Sequence, residues 1–173
     1  MKRALIITGQ GFQDDEVTYP YYFLKGQGFA VDIAAKEIGE IQGIIGRKIL
    51  ANKSFSEINI DNYDLLVLPG GVKALEKVRQ EPSVIDFIYK WDSRGKIIAC
   101  VCHGAQLMIS AKIVKGRKIS AYYSIKDDVN NAGAEYVDAP FVVDRNIISS
   151  PHYKYLGEWM NEVIRRYKEH NNS

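Results

Sequence analysis

Short apolar runs alternate along this chain with segments that repeat apolar residues at helical spacing. The runs at residues 4–7, 31–34, 65–68 and 97–101 consist mainly of Ile, Leu, Val and Ala. Strands buried on both faces read as continuous apolar runs of this kind, and their alternation with helices implies a mostly parallel sheet with helices on both faces. The sequence therefore predicts an α/β fold.

Helices and lesser strands fill the rest of the predicted order. Leu156, Trp159, Met160, Val163, Ile164 and Tyr167 form the clearest helical stripe, while Val17, Pro20, Tyr21 and Leu24 mark an earlier helix that Pro20 should bend. The remaining predictions are a glycine-punctuated hairpin at 38–49, a helix just after Pro82, strands near 118–121, 141–143 and 147–149, a short helix near 125–131 and a frayed end at 170–173.

Length and composition limit the classes of protein to consider. At 173 residues the chain fits a single domain, residues 1–173, and a net charge of +2 gives no reason to expect nucleic acid. Its longest wholly apolar run, residues 97–102, is too short for a membrane span, and the first residues lack a signal-peptide core. Two cysteines spaced C-x-C cannot form an unstrained disulfide or a closed zinc site. We expect a cytoplasmic protein without a bound metal.

Cys102 stands between a strand and a helix. The apolar run ends at Val101, and the helix-forming residues 105–111 follow His103 and Gly104. A sharp strand-to-helix turn lifts such a side chain above the sheet, where the free N–H groups of the helix favour a thiolate. A small buried thiol is the ordinary alternative, but this context favours a nucleophile.

The carboxyl ends of parallel strands meet at one edge of the sheet, where ligands bind. That edge should gather residues 9–16, Gly70 and Gly71, Cys102 and His103, Tyr122 and Tyr123, and Pro151 and His152. Consecutive glycine amides beside a thiolate could form an oxyanion hole together with the N–H of His103, although Pro-Gly-Gly also suits a simple turn.

Four further side chains have two interpretations each. Glu16 could donate a proton to the sulfur or abstract one, or could merely stabilise the helix dipole beside Asp14 and Asp15. His103 directly follows the cysteine, so we expect its ring to turn away from the sulfur of its own chain, toward the crevice or a neighbouring subunit. His152 could then complete a cysteine–histidine pair, and Tyr122 could shape the pocket or simply pack.

Several separated motifs resemble the ThiJ/PfpI superfamily, specifically its PfpI (intracellular protease I) branch. They are residues 99–106 around the Cys-His-Gly, the acidic loop at 12–16 with Tyr19 and Pro20, the strand and diglycine at 64–71, and residues 115–118, 125–128 and 131–134. The resemblance implies a flavodoxin-like three-layer sandwich with a nucleophile elbow, assembled as a dimer or hexamer.

The resemblance also implies roles for individual residues. Cys102 would be the oxidisable nucleophile, Glu16 a protonated carboxyl beside it and His103 its partner, with Gly70 and Gly71 at the oxyanion site and Tyr122 near the pocket. Two positions depart from the branch: Gln13 replaces an acid, and Pro151-His152 follows Ser150 where an arginine and a proline are usual. The second change leaves open a Cys102–His152 arrangement like that of class I glutamine amidotransferases.

These observations predict a cysteine enzyme without a cofactor, acting on small reactive carbonyls or their adducts. Such an enzyme would be of glyoxalase or deglycase type and would serve in stress protection. Two alternatives stay open. One is a cysteine hydrolase of peptides or other amides, and the other is a redox-sensing stress protein that is not an enzyme.

Overall fold

A computed structural model describes residues 1–172 and has eleven strands and six α-helices in that range. The strands are β1 (Arg3–Ile7), β2 (Ala30–Ala35), β3 (Gly39–Gln42), β4 (Lys48–Ala51), β5 (Lys53–Ser54), β6 (Leu65–Leu68), β7 (Ile97–Val101), β8 (Lys118–Ile119), β9 (Glu135–Tyr136), β10 (Val142–Asp144) and β11 (Ile147–Ser150). The helices are α1 (Asp14–Gly26), α2 (Val72–Val78), α3 (Pro82–Ser93), α4 (Ala105–Ser110), α5 (Lys126–Asn131) and α6 (Leu156–Asn171).

Seven strands form the central sheet in the order β10-β11-β7-β6-β1-β2-β5. Every neighbouring pair is parallel except β10 with β11, which form an antiparallel hairpin at the edge. The four predicted apolar runs become the four central strands, because only a strand covered on both faces can bury every side chain. The predicted α/β fold is confirmed.

Each face of the sheet carries its own apolar core. One core packs α3, α4 and α5 against the sheet, and the other packs α1 and α6 against the opposite face. A buried tryptophan fixes a helix to the sheet on each side: the Trp91 indole N–H donates to the Ile97 carbonyl at 3.0 Å, and that of Trp159 donates to Ile148 at 3.1 Å. The three-layer arrangement is therefore confirmed.

The structure corrects several element predictions. The strand expected at 118–121 lies outside the central sheet, since β8 pairs in parallel with β9 in a small separate sheet. The helix α6 continues through His170 to Asn171, so the frayed end predicted at 170–173 is wrong as far as Asn171. Ser173 lies outside the described residues. The hairpin predicted at 38–49 is confirmed as β3 and β4.

Within residues 1–172, no helix is both long and apolar enough to cross a membrane.

Candidate active site

Cys102 occupies a strained turn at the carboxyl end of β7. Its φ of +60° lies in the left-handed region, and one turn of 3₁₀ helix (Cys102–Gly104) leads from it into α4. Residue 104 must be a glycine, because a Cβ at this position would clash with the Leu68 carbonyl oxygen. The predicted nucleophile elbow is present, and Cys102 is buried, with 7% of its surface exposed to solvent.

Glu16 reaches the same point from the first turn of α1 and is fully buried. Its Oε1 accepts a hydrogen bond from the Gly70 N–H at 2.8 Å, and Gly70 also lies against the Cys102 side chain, so the carboxyl is beside the thiol. Its Oε2 is buried and has no hydrogen-bond partner among residues 1–172. Glu16 lies in the first turn of α1, as the helix-dipole interpretation expects, but its burial beside Gly70 and Cys102 also brings it to the thiol.

The main chain around Gln13 fixes the position of that carboxyl. The Gln13 side chain caps α1 by accepting from the Glu16 N–H at 2.9 Å, and the Gln13 N–H donates to the Gly70 carbonyl at 3.2 Å. The start of α1 is thereby tied to the diglycine that follows β6. The residue that departs from the resemblance thus has a clear structural role.

The two glycines differ in what their amides can do. A Cβ on Gly70 would lie 2.4 Å from the Glu16 Oε1 and 3.1 Å from the Cys102 Cβ, so only glycine fits between them. Because the Gly70 amide already binds Glu16, it is not free for a substrate oxygen, which corrects the predicted use of that amide in an oxyanion hole. The hydrogen bonds of the described residues give the Gly71 N–H no acceptor, and the His103 N–H faces the sulfur.

Burial dominates the electrostatics of the pair. Desolvation raises the pKa of Glu16 from 4.5 to about 7, against the opposing hydrogen bonds from Gly70 and Cys102. Burial and the negative charge of Glu16 also raise the pKa of the Cys102 thiol, which the His103 N–H opposes. A raised pKa favours the neutral thiol, whereas the sequence predicts a thiolate. The two groups titrate as a pair, and ionisation of one disfavours ionisation of the other.

The two candidate histidines have different partners. The Nδ1 of His103 lies 3.5 Å from the Cys102 Sγ, so the expectation that this ring turns away from its own sulfur is wrong. The Nδ1 of His152 instead accepts from the Lys154 N–H at 3.1 Å. Among the hydrogen bonds of residues 1–172, His103 rather than His152 is the imidazole at the sulfur.

Tyr122 lies beside the site. Its N–H donates to the Cys102 carbonyl at 3.2 Å, and its ring centroid is 4.9 Å from that of His103. Two contacts were not predicted. The Ser124 hydroxyl lies 3.3 Å from the His103 Nε2, and the buried Asp14 binds the tip of the β3–β4 hairpin. Neither residue belongs to a sequence motif that would have revealed the contact.

No group of three or more His, Cys, Asp or Glu side chains in residues 1–172 is arranged to hold a metal ion. The groups that the turn does gather are a thiol, a carboxyl, an imidazole and backbone amides. Such groups carry out nucleophilic addition and proton transfer. The fold and the site together define an α/β protein with a buried cysteine at a nucleophile elbow.

The chain belongs to the DJ-1/PfpI family, whose model matches residues 2–166. It is 42% identical over 166 residues to Deglycase PfpI of Pyrococcus furiosus, which covers 96% of this chain and 99% of that relative. It is also 35% identical over 167 residues to Protein/nucleic acid deglycase 2 of Escherichia coli, covering 95% of this chain and 96% of the relative. The resemblance inferred from the sequence motifs is confirmed.

Solved structures agree with the fold. The crystal structure of a two-domain protein from Anabaena variabilis, which contains DJ-1/ThiJ/PfpI-like and ferritin-like domains, matches with a TM-score of 0.93 and 31% identity. The match covers 96% of this chain and 48% of that protein. Schizosaccharomyces pombe DJ-1 matches with a TM-score of 0.86 at 19% identity, which supports the fold alone.

Proposed function

We propose that this protein is a cofactor-independent cysteine enzyme of deglycase type, acting on small reactive carbonyls or their adducts. Relatives at 42% and 35% identity are named deglycases. The observation that carries the proposal is the buried Glu16 carboxyl beside the Cys102 thiol, whose Oε2 has no hydrogen-bond partner in the described chain. A carboxyl with a pKa of about 7 can both accept and return a proton at neutral pH.

In the first step, the Cys102 sulfur forms a bond to the aldehyde carbon while the carbon–oxygen π bond breaks. The thiol proton passes to the Glu16 carboxylate and then to the new alkoxide, which leaves a hemithioacetal and an ionised Glu16. Where the carbon carries an amine, as in a carbinolamine adduct, the carbon–nitrogen bond breaks instead and the proton goes to the departing nitrogen.

The second step moves a proton between adjacent carbons. Glu16 removes the proton from the carbon bonded to sulfur, and an enediol forms as the neutral His103 imidazole donates its ring proton to the neighbouring carbonyl oxygen. Glu16 then returns its proton to that neighbouring carbon, while the hydroxyl on the carbon bonded to sulfur gives its proton to His103, which leaves the thioester of a 2-hydroxy acid. Burial lowers the pKa of His103, so its imidazole is neutral at pH 7 and can assist these transfers. Water then cleaves the thioester, and the Cys102 thiol is restored.

Negative charge on the substrate oxygen needs donors during the addition. The Gly71 N–H, without an acceptor in the described chain, and the His103 N–H at the sulfur are suited to that task. One preorganised donor of this kind lowers a barrier by about 3 kcal/mol. Tyr122 would border the bound substrate through its contact with His103.

The test is a panel of small aldehydes, glycated amines and simple amides, assayed with the wild type and with Cys102→Ala. We expect 2-hydroxy acid from the aldehydes and free amine from the glycated amines, with both activities lost in the variant. A wild type that is inactive on both classes would refute the proposal, as would activity that survives in Cys102→Ala.

A second candidate, hydrolysis of peptides or other amides through a thioester, is favoured by one contact. The His103 Nδ1 lies 3.5 Å from the Cys102 Sγ, within reach for a base that activates a thiol. The same panel separates the two functions, because an amidase would release amines from simple amides and would form no hydroxy acid. Its base would be His103, so His152→Ala should keep amidase activity.

We also propose that residues 1–173 act as one domain and that the protein is a cytoplasmic homo-oligomer, either a dimer or a hexamer. Exposed apolar side chains on the β3–β4 hairpin support self-association: Ile44, Ile45 and Leu50 are each more than half exposed. Light scattering of the purified protein tests the assembly, and a monomer at all concentrations would refute it.

A further inference from the structure

A row of aromatic rings runs from the cysteine to the surface of the protein. Starting at the sulfur, the His103 ring lies 4.9 Å from Tyr122, measured between ring centroids, and Tyr122 lies 5.9 Å from His152. His152 in turn lies 4.0 Å from Tyr153, which is 45% exposed. Successive planes in this row differ by only 29° to 43°.

The His152 ring is held in place, and neither it nor Tyr122 carries a charge at neutral pH. The Lys154 N–H donates to the Nδ1 of His152, which fixes the plane of that ring. Burial and the nearby Lys154 lower the pKa of His152, and a hydrogen bond with Tyr123 and burial raise the pKa of Tyr122 to about 12. Neutral rings with fixed planes present π faces to a ligand rather than a charge.

The proposed chemistry does not use the outer part of this row. His103 supplies the imidazole at the sulfur, whereas the Nδ1 of His152 accepts a hydrogen bond from the Lys154 N–H. The segment that departs from the sequence resemblance, Pro151-His152, is the one that brings His152 and Tyr153 into the row. A function in substrate selection would explain why aromatic rings stand exposed here.

We propose that Tyr122, His152 and Tyr153 form a stacking wall that makes the site selective for substrates with a planar aromatic group next to the reacting carbon. Only the His103 ring lies between the Cys102 sulfur and Tyr122, the first residue of the wall. A substrate ring attached within a few bonds of the carbonyl carbon would therefore lie against the wall. An aliphatic group of equal size would gain contact area without the stacking geometry. This inference deepens the proposed function and names His152 and Tyr153 as specificity-determining residues.

The test compares two reagents that alkylate Cys102 without any turnover. N-phenyl iodoacetamide carries a planar ring, and N-cyclohexyl iodoacetamide carries a ring of similar size that is not planar. Each rate is divided by the rate of the same reagent with glutathione. We expect the wild type to prefer the phenyl reagent by about three- to tenfold, the range that aromatic pairing provides.

Variants then assign the preference to the wall. His152→Ala and Tyr153→Ala should each bring the ratio close to one, whereas His152→Phe should keep it. Tyr89→Ala is the matched control, since Tyr89 is an exposed tyrosine on α3 and should leave the ratio unchanged. Circular dichroism checks that each variant is folded.

Three results would overturn the inference: no preference in the wild type, a preference that survives both alanine variants, or a Cys102 that none of the reagents reaches. Because alkylation needs no catalysis, a clear preference together with no hydroxy acid from any aldehyde would refute the proposed function and keep the wall. Equal alkylation together with active turnover would refute the wall alone. In an active enzyme, the ratio of kcat/KM for phenylglyoxal over methylglyoxal should fall in His152→Ala.

Discussion

Glu16 and Cys102 come from distant parts of the sequence, and the pKa of each depends on the other. The charge of the carboxylate adds to burial in raising the pKa of the thiol, and the Oε2 of Glu16 lies buried without a hydrogen-bond partner in the described chain. A buried acid of this kind is costly for the fold when it is ionised. That cost is expected where a carboxyl transfers protons, which is the role proposed for Glu16.

The raised pKa of Glu16 should appear in the stability of the protein. The unfolded carboxyl ionises near 4.5 and the native one near 7, so between these values the native state binds more protons than the unfolded state. The free energy of unfolding should therefore fall as the pH rises from about 4.5 to 7, by about 3 kcal/mol from this group.

Urea denaturation at several pH values measures this effect. The side chain in Glu16→Gln cannot ionise. The difference in the free energy of unfolding between this variant and the wild type should therefore change between pH 4.5 and 7. A constant difference between the two proteins from pH 4.5 to 7 would contradict the raised pKa.

Gly70 sets the position of that carboxyl. Gly70→Ala would place a Cβ 2.4 Å from the Glu16 Oε1, so the carboxyl must move away from the thiol. We expect a loss of about 100-fold in kcat/KM, the usual effect of displacing a reacting group by about 1 Å. Gly26→Ala is the control, because a Cβ there meets nothing within 4 Å. Equal activity in the two variants would show that the position of Glu16 does not matter.

Among the elements, the β3–β4 hairpin depends on α1. The Oδ1 of Asp14 accepts from the Ile45 N–H at 2.9 Å, and its Oδ2 accepts from the Arg47 N–H at 2.8 Å. A buried carboxylate with two charge-assisted bonds is the main polar attachment of the hairpin tip. The same helix therefore positions Glu16 inside the protein and the hairpin outside it.

Asp14→Ala should release the hairpin tip. We expect the free energy of unfolding to fall by about 3 kcal/mol, since two hydrogen bonds to a charged group are lost, and the amides of Ile45 and Arg47 to exchange faster with solvent. Asp15→Ala, which removes the neighbouring exposed carboxylate, is the matched control and should change neither quantity. Hydrogen exchange of the hairpin that is equally fast in both variants would contradict this account.

An element can be predicted from the sequence only where its apolar residues form a long run or a clear repeat. The central strands are predictable because they are almost wholly apolar, and α6 because its apolar stripe repeats over about three turns. The helix α2 was missed because it has seven residues, of which only Ala74, Leu75 and Val78 are buried. The strands β5 and β9 are two residues long, too short for a period to appear.

In the whole molecule, topology brings the site together. The rule that ligands bind at the carboxyl edge of a parallel sheet predicted that Glu16, Gly70 and Cys102 would meet, and they do. The rule says nothing about the direction of side chains. It therefore cannot predict that the His103 ring lies at the sulfur, or that the Gly70 amide has an acceptor on α1.

The central claim is that the Cys102 sulfur forms the bond to the carbonyl carbon of the substrate. The most direct measurement is the initial rate of lactate formation from methylglyoxal by the wild type and by Cys102→Ser, which keeps the size of the side chain and removes the thiol. We expect steady lactate formation by the wild type and only the uncatalysed rate with the variant. Equal rates from the two proteins would show that the sulfur does not form this bond.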